Sequence, residues 1–198
     1  MARPRSHALR GGICDLLAVV LLGFLCFSQL VLAAPKTIDL AELDWQYRWS
    51  DTPGTDAISD SFKGEGWEPI AFPANPPGRD GQTHVWFRTV LPEVSVPEPV
   101  IYITSIDINV EAFVGDRQIY RFGKFDKDGQ GTFSGWPWHA ILLPDDFAGK
   151  PLYLRVYSDY TDIGLWGEAK ILDRSEMLLH VVTSGLHELI VAAFSLLI

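Results

Sequence analysis

The stretch Val100-Ile-Tyr-Ile-Thr-Ser-Ile-Asp-Ile-Asn-Val-Glu-Ala-Phe-Val-Gly-Asp-Arg-Gln-Ile-Tyr-Arg-Phe122 decides the fold class. Its first seven residues form an apolar, β-branched run that reads as a strand. From Asp107 to Ala112 polar and apolar residues alternate strictly and Phe113 and Val114 extend the run, the period of a strand with two unlike faces. Gly115-Asp-Arg is turn chemistry, and Gln118 to Phe122 returns as the second arm of a hairpin. Three strand signals joined by short breaks leave no room for a helix.

The same grammar continues outward in both directions. Upstream, Val85, Phe87, Thr89 and Leu91 fall on one face of an extended segment and Trp86, Arg88 and Val90 on the other, so neither face is conventionally polar. Leu40, Leu43, Trp45, Tyr47 and Trp49 end in alternation and predict an opening strand, and Trp67 to Pro73 is a short extended piece broken by Pro69 and Pro73. Asn75-Pro-Pro-Gly-Arg-Asp-Gly is loop. Downstream, Ala140–Leu143, Leu152–Tyr157 and Ile163–Leu165 predict further strands, with Asp145-Asp-Phe-Ala-Gly-Lys-Pro turning between the first two. About eight evenly spaced strands and no helix before Met177 specify an all-β, antiparallel sandwich.

The two ends have a different character. Met1–Arg10 is basic, Leu16–Leu32 is almost wholly apolar, and Val31-Leu32-Ala33 offers small residues for a signal peptidase. Residues 1–33 are therefore expected to be a secretory signal helix; an uncleaved anchor is the alternative, since the run approaches membrane-spanning length. The Arg-rich start would remain cytoplasmic, leaving the domain outside. At the other end, residues 174–198 are expected to be a connector and the start of a transmembrane helix, because Met177–Ile198 is largely apolar and free of proline. A core helix packed on the sheet is the alternative. His180, His187 and Glu188 precede its most apolar part. Residues 34–173 then form the β domain.

Cys14 and Cys26 both lie in the leader, so the β domain has no thiolate for a disulfide or metal site. The formal net charge is −9 from 16 basic and 25 acidic residues; without Arg3, Arg5, Arg10 and Asp15 these become 13 and 24, a net −11. So acidic a domain repels nucleic acid, which is excluded as a partner.

Candidate chemistry concentrates in Gly123–Pro144. Asp126-Lys-Asp-Gly-Gln-Gly resembles a calcium loop, but Gln130 stands at the fifth ligand place and Pro137 where a bidentate Glu is required, so the segment is read as a plain turn and no metal site is expected. Trp136 and Trp138 flank Pro137; on an extended backbone both rings would share one face, as a cap on the core or as a platform for a flat ligand. With His139, Trp67 and Arg88 they form the candidate ligand-binding set. Trp86 reads as core, and Arg88 and Arg155 read as partners for a buried acid such as Asp107 or Glu111. No nucleophile elbow, phosphate loop or cofactor motif occurs.

Val85-Trp-Phe-Arg-Thr-Val-Leu-Pro, Ser105 to Ile119, Leu142-Leu-Pro and Gly149-Lys-Pro-Leu-Tyr-Leu-Arg-Val-Tyr-Ser together resemble the galactose-binding-like jelly roll. Two relatives share that grammar: the sugar-binding domain of family-two glycoside hydrolases, and the periplasmic input domain of bacterial seven-transmembrane receptors with diverse intracellular signalling modules. The order of signal, β domain and apolar helix is more similar to the receptors. That resemblance implies a sensory domain in the periplasm, anchored in the inner membrane, binding a small molecule or carbohydrate and relaying to a C-terminal helix bundle with a diguanylate cyclase or histidine kinase. It also implies a homodimeric full-length receptor. The alternative is a non-catalytic carbohydrate-binding module of an exported enzyme or surface protein. Catalysis by this chain is not expected, since a family-two hydrolase holds its two carboxylates in a separate barrel.

Overall fold

The computed structural model describes residues 37–50, 64–126 and 129–195, with the backbone alone over 187–194. The expected signal, residues 1–33, lies outside the described residues, as does Asp128 of the calcium-like turn.

Twelve strands are described: β1 (Ile38–Asp39), β2 (Trp45–Trp49), β3 (Glu68–Ile70), β4 (His84–Val90), β5 (Pro99–Ile106), β6 (Asn109–Val114), β7 (Arg117–Phe122), β8 (Lys124–Phe125), β9 (Gly131–Thr132), β10 (His139–Leu142), β11 (Pro151–Tyr157) and β12 (Leu165–Asp173). Helix α1 (Arg174–Ser195) follows. The strands form a four-stranded sheet in the order β1-β12-β5-β10, a six-stranded sheet in the order β3-β2-β4-β11-β6-β7, and the small ribbon β8-β9. Their ladders are antiparallel, as in a β-sandwich.

Alternation decides what fills the space between the sheets. Val85 and Phe87 of β4, Val110, Ala112 and Val114 of β6, and Leu152, Leu154 and Val156 of β11 meet Ile101, Ile103, Ile141, Ala169 and Ile171 of the facing sheet. Each of these Val, Leu, Ile and Phe side chains contributes about 1.5–3 kcal/mol by leaving water. This core holds the sandwich without a disulfide. Trp86, Phe113 and Tyr153 take the opposite parity and make a second cluster on the outer side of the six-stranded sheet, joined by Trp67.

The chain changes sheets between Ile106 and Asn109. Ile108 sits there at φ 43°, a region that β-branched residues rarely adopt. Asp107 fixes the crossing: its Oδ2 accepts from the Gly164 amide at 2.7 Å and from the Trp166 indole N–H at 2.8 Å. The strand expected over Ile163–Leu165 is instead the nine-residue β12. Its register shifts between Trp166 and Ala169, and this irregularity hides the continuing alternation from a period-two reading.

β12 passes into α1 with Asp173 as the junction. Its side chain accepts from the Ser175 amide at 2.8 Å and caps the helix. The first turns of α1 lie on the outer side of the four-stranded sheet, where Met177 and Val181 pack against Val100, Tyr102 and Leu172. A transmembrane start was expected over 174–198; the beginning of this segment covers the sheet, and among the described residues no helix is long and apolar enough to cross a membrane.

Candidate functional site

Three surfaces carry the residues singled out from the sequence. The first lies beside the glycine-rich loop, where Trp136, Phe133 and Tyr160 are 59%, 54% and 49% exposed. Trp136 stands 5.2 Å from Phe133, near perpendicular, and 6.2 Å from Tyr160; Phe133 and Tyr160 are also 6.2 Å apart. Large rings gathered this way in water are the residue type that stacks on the apolar face of a ligand. Tyr160 was not a candidate from sequence, since it stands in the loop between β11 and β12. Arg79 brings it there, donating to the Ser158 carbonyl at 2.6 Å, the Thr161 carbonyl at 2.8 Å and the Tyr160 carbonyl. A lone arginine in a Pro-Gly loop gives no sequence signal for that clamp.

The second surface is a crevice of roughly 540 Å³ between the four-stranded sheet and α1, lined by Tyr102, Thr104, Trp138, Gly167, Glu168, His180, Val181, Ser184 and Gly185. Trp138, 46% exposed, stands 6.1 Å from Tyr102, whose ring meets His180 edge-on at 5.1 Å. The expectation that Trp136 and Trp138 present one common face is therefore corrected, since the two rings join different clusters. Residues 133–138 form no strand, and alternation places side chains only on a pleated backbone.

The third surface is the outer side of the six-stranded sheet. Arg88 donates through Nε to Gln46 Oε1 at 2.7 Å and lies 4.3 Å over the Trp67 ring, a cation–π contact. Trp67 in turn packs 6.0 Å from Tyr153. Arg155 and Glu111, expected as a structural pair, are one: Nη1 donates to Oε2 at 2.9 Å, with both side chains almost fully buried. Arg88 pairs with neither Asp107 nor Glu111, because register places it opposite Gln46.

His139 does not reach any of these surfaces. It is 1% exposed and faces the core, with Nδ1 3.0 Å from the Tyr120 hydroxyl, its ring edge-on to Phe122, and no protein partner at Nε2. Burial drives its pKa down to about 4, so the ring is neutral. Its candidacy rested on adjacency to Trp138, but it is the first residue of β10 and points inward. In the calcium-like turn, Asp126 accepts from the Gln130 amide at 2.9 Å and closes the loop on itself. Among the described residues no three His, Cys, Asp or Glu side chains converge as metal ligands.

No family model matches the sequence, and no curated protein matches it. Solved structures with the same fold include a β-glucuronidase from Ruminococcus gnavus in complex with D-glucaro 1,5-lactone (8% identity over 72% of this chain and 30% of that one, TM-score 0.52). Another is the β-glucuronidase of Parabacteroides merdae (15% identity, 69% of this chain and 22% of that one, TM-score 0.50). The domain thus shares a β-sandwich fold with a part of each of these enzymes. The chain spans less than a third of the length of those enzymes.

Proposed function

We propose that the domain is a non-catalytic carbohydrate-binding module of an exported enzyme or surface protein. The observation that carries this reading is the exposed triad of Phe133, Trp136 and Tyr160 on a galactose-binding-like sandwich. Such rings offer flat apolar faces for the C–H side of a sugar, and their exposure means that ligand contact costs little reorganisation. Binding on a glycan array should be lost in Trp136→Ala, while the thermal midpoint stays within a degree or two because the ring is more than half exposed. Glycan binding unchanged by that substitution rejects the module.

A second reading is favoured by one specific feature, the passage of β12 directly into α1 at Asp173. In this reading the sandwich is the periplasmic input domain of a receptor anchored in the inner membrane, and ligand binding shifts α1 relative to the sheet. Val182 on α1 and Leu142 on β10 are both exposed and suit spin labels. With Cys14 and Cys26 replaced by serine, V182C/L142C distances that move when the array-identified glycan saturates the protein support the relay. Distances that stay fixed reject it.

A further inference from the structure

The crevice under α1 differs in chemistry from the rim triad. Its floor is the outer side of the four-stranded sheet at Tyr102 and Thr104, its wall is the turn of α1 carrying Val181, Ser184 and Gly185, and Trp138 stands at its edge. At roughly 540 Å³ it falls in the range of about 300–1,000 Å³ usual for small-molecule sites. Two glycines line it. A Cβ on Gly185 would meet nothing within 4 Å, whereas one on Gly167 would lie 2.8 Å from Thr104 Cβ, so only a bare backbone can run beside that floor.

The polar groups point to an uncharged ligand. Glu168 Oε2 is already engaged by Lys170 Nζ at 3.0 Å and His180 Nε2 at 3.1 Å, and its pKa is lowered, first by the bond from Lys170. The carboxylate is therefore compensated before any ligand arrives. Thr104 Oγ1 accepts from the Glu168 amide at 3.1 Å and keeps its own proton to donate; Ser184 Oγ donates to the Val181 carbonyl at 3.1 Å and keeps lone pairs to accept. An aromatic face beside a spare hydroxyl donor and a spare hydroxyl acceptor matches a ring with one apolar side and an equatorial set of hydroxyls.

We propose that this crevice is a second binding site, separate from the rim triad, for a neutral polyhydroxylated ring such as a monosaccharide or cyclitol, stacked on Trp138 and held between sheet and helix. The proposal does not depend on Trp136. Methyl β-D-glucopyranoside, methyl β-D-galactopyranoside and myo-inositol, tested singly at millimolar concentration on the full chain by saturation-transfer NMR, are the probes. At least one should bind saturably. Trp138→Ala should weaken it about tenfold, Gly185→Leu should weaken it at least as much by projecting a side chain into the crevice, and Trp136→Ala should leave it intact. Leucine is a far better helix former than glycine, so loss in Gly185→Leu cannot come from melting α1, which circular dichroism checks. The proposal is overturned if none of the three probes binds, if affinity is unchanged in Gly185→Leu, or if binding follows Trp136 and ignores Trp138.

Discussion

His139 shows how one buried side chain sets a pH dependence. Above about pH 6.5 the ring is neutral in both folded and unfolded chains and contributes no pH dependence. Between that value and its folded pKa of about 4 only the unfolded chain takes the proton, so stability must fall as the pH falls, by about 1.4 kcal/mol per unit. Urea unfolding at pH 7, 6, 5 and 4 should show this decline, and His139→Leu should flatten the part due to this residue. Parallel pH profiles for the two proteins would refute the assignment. Asp107 is a second decisive residue. Burial raises its pKa, yet its carboxylate receives two donors at the sheet crossing. Asp107→Ala strands the Gly164 and Trp166 N–H groups and should cost about 2 kcal/mol, read as a lower urea midpoint; an unchanged midpoint would remove Asp107 from that role. The importance of these two side chains could not be read from the sequence, because each depends on a partner far along the chain.

At the scale of elements, the ribbon β8-β9 is seated on the six-stranded sheet by close backbone approach. Gly123 has φ 89°, and a Cβ there would fall 1.5 Å from Asn109 Nδ2; one on Gly131 would fall 2.3 Å from Asn109 Oδ1 and 2.4 Å from Tyr157. The seat is tied further by His84 Nε2 to the Gly129 carbonyl at 2.8 Å and by the Tyr157 hydroxyl donating to Gln130 at 3.2 Å. Gly123→Ala should therefore destabilise the domain by about 1–3 kcal/mol through overpacking at a left-handed position, and Asn109→Gly in the same chain should restore part of it. Thermal midpoints of the two variants decide the matter: no recovery in the double variant would mean that Asn109 is not the obstacle. The glycine spacing was legible as turn chemistry, but the reason for two of those glycines was not. It lies in Asn109, on another strand. The C-terminal segment is helical over Arg174–Ser195, and its packing through Met177 and Val181 depends on a sheet surface that adjacent residues do not reveal.

Across the whole molecule, an acidic domain keeps a buried ion pair on one sheet. Arg155 and Glu111 face each other across β11 and β6, with Arg121 3.7 Å from the same carboxylate. Removing Arg155 leaves the buried Glu111 carboxylate with only the half-exposed Arg121 and the Gln118 amide at 3.3 Å, so Arg155→Met should cost about 3 kcal/mol, whereas Arg155→Met with Glu111→Leu should cost much less. A double-mutant cycle in urea with no coupling between the sites would show that the pair is incidental. Period-two alternation, proline and glycine punctuation and the absence of cysteine after Cys26 were enough to specify an antiparallel sandwich held by its core, because strand pattern and turn chemistry are local properties. They also identified Trp136 and Trp138 as aromatic candidates. Tertiary structure alone decided that Trp136 joins Phe133 and Tyr160, that Trp138 borders a crevice under α1, and that His139 turns inward. Ring partnerships and burial depend on which distant segments meet, as where the Arg79 clamp holds the loop that carries Tyr160.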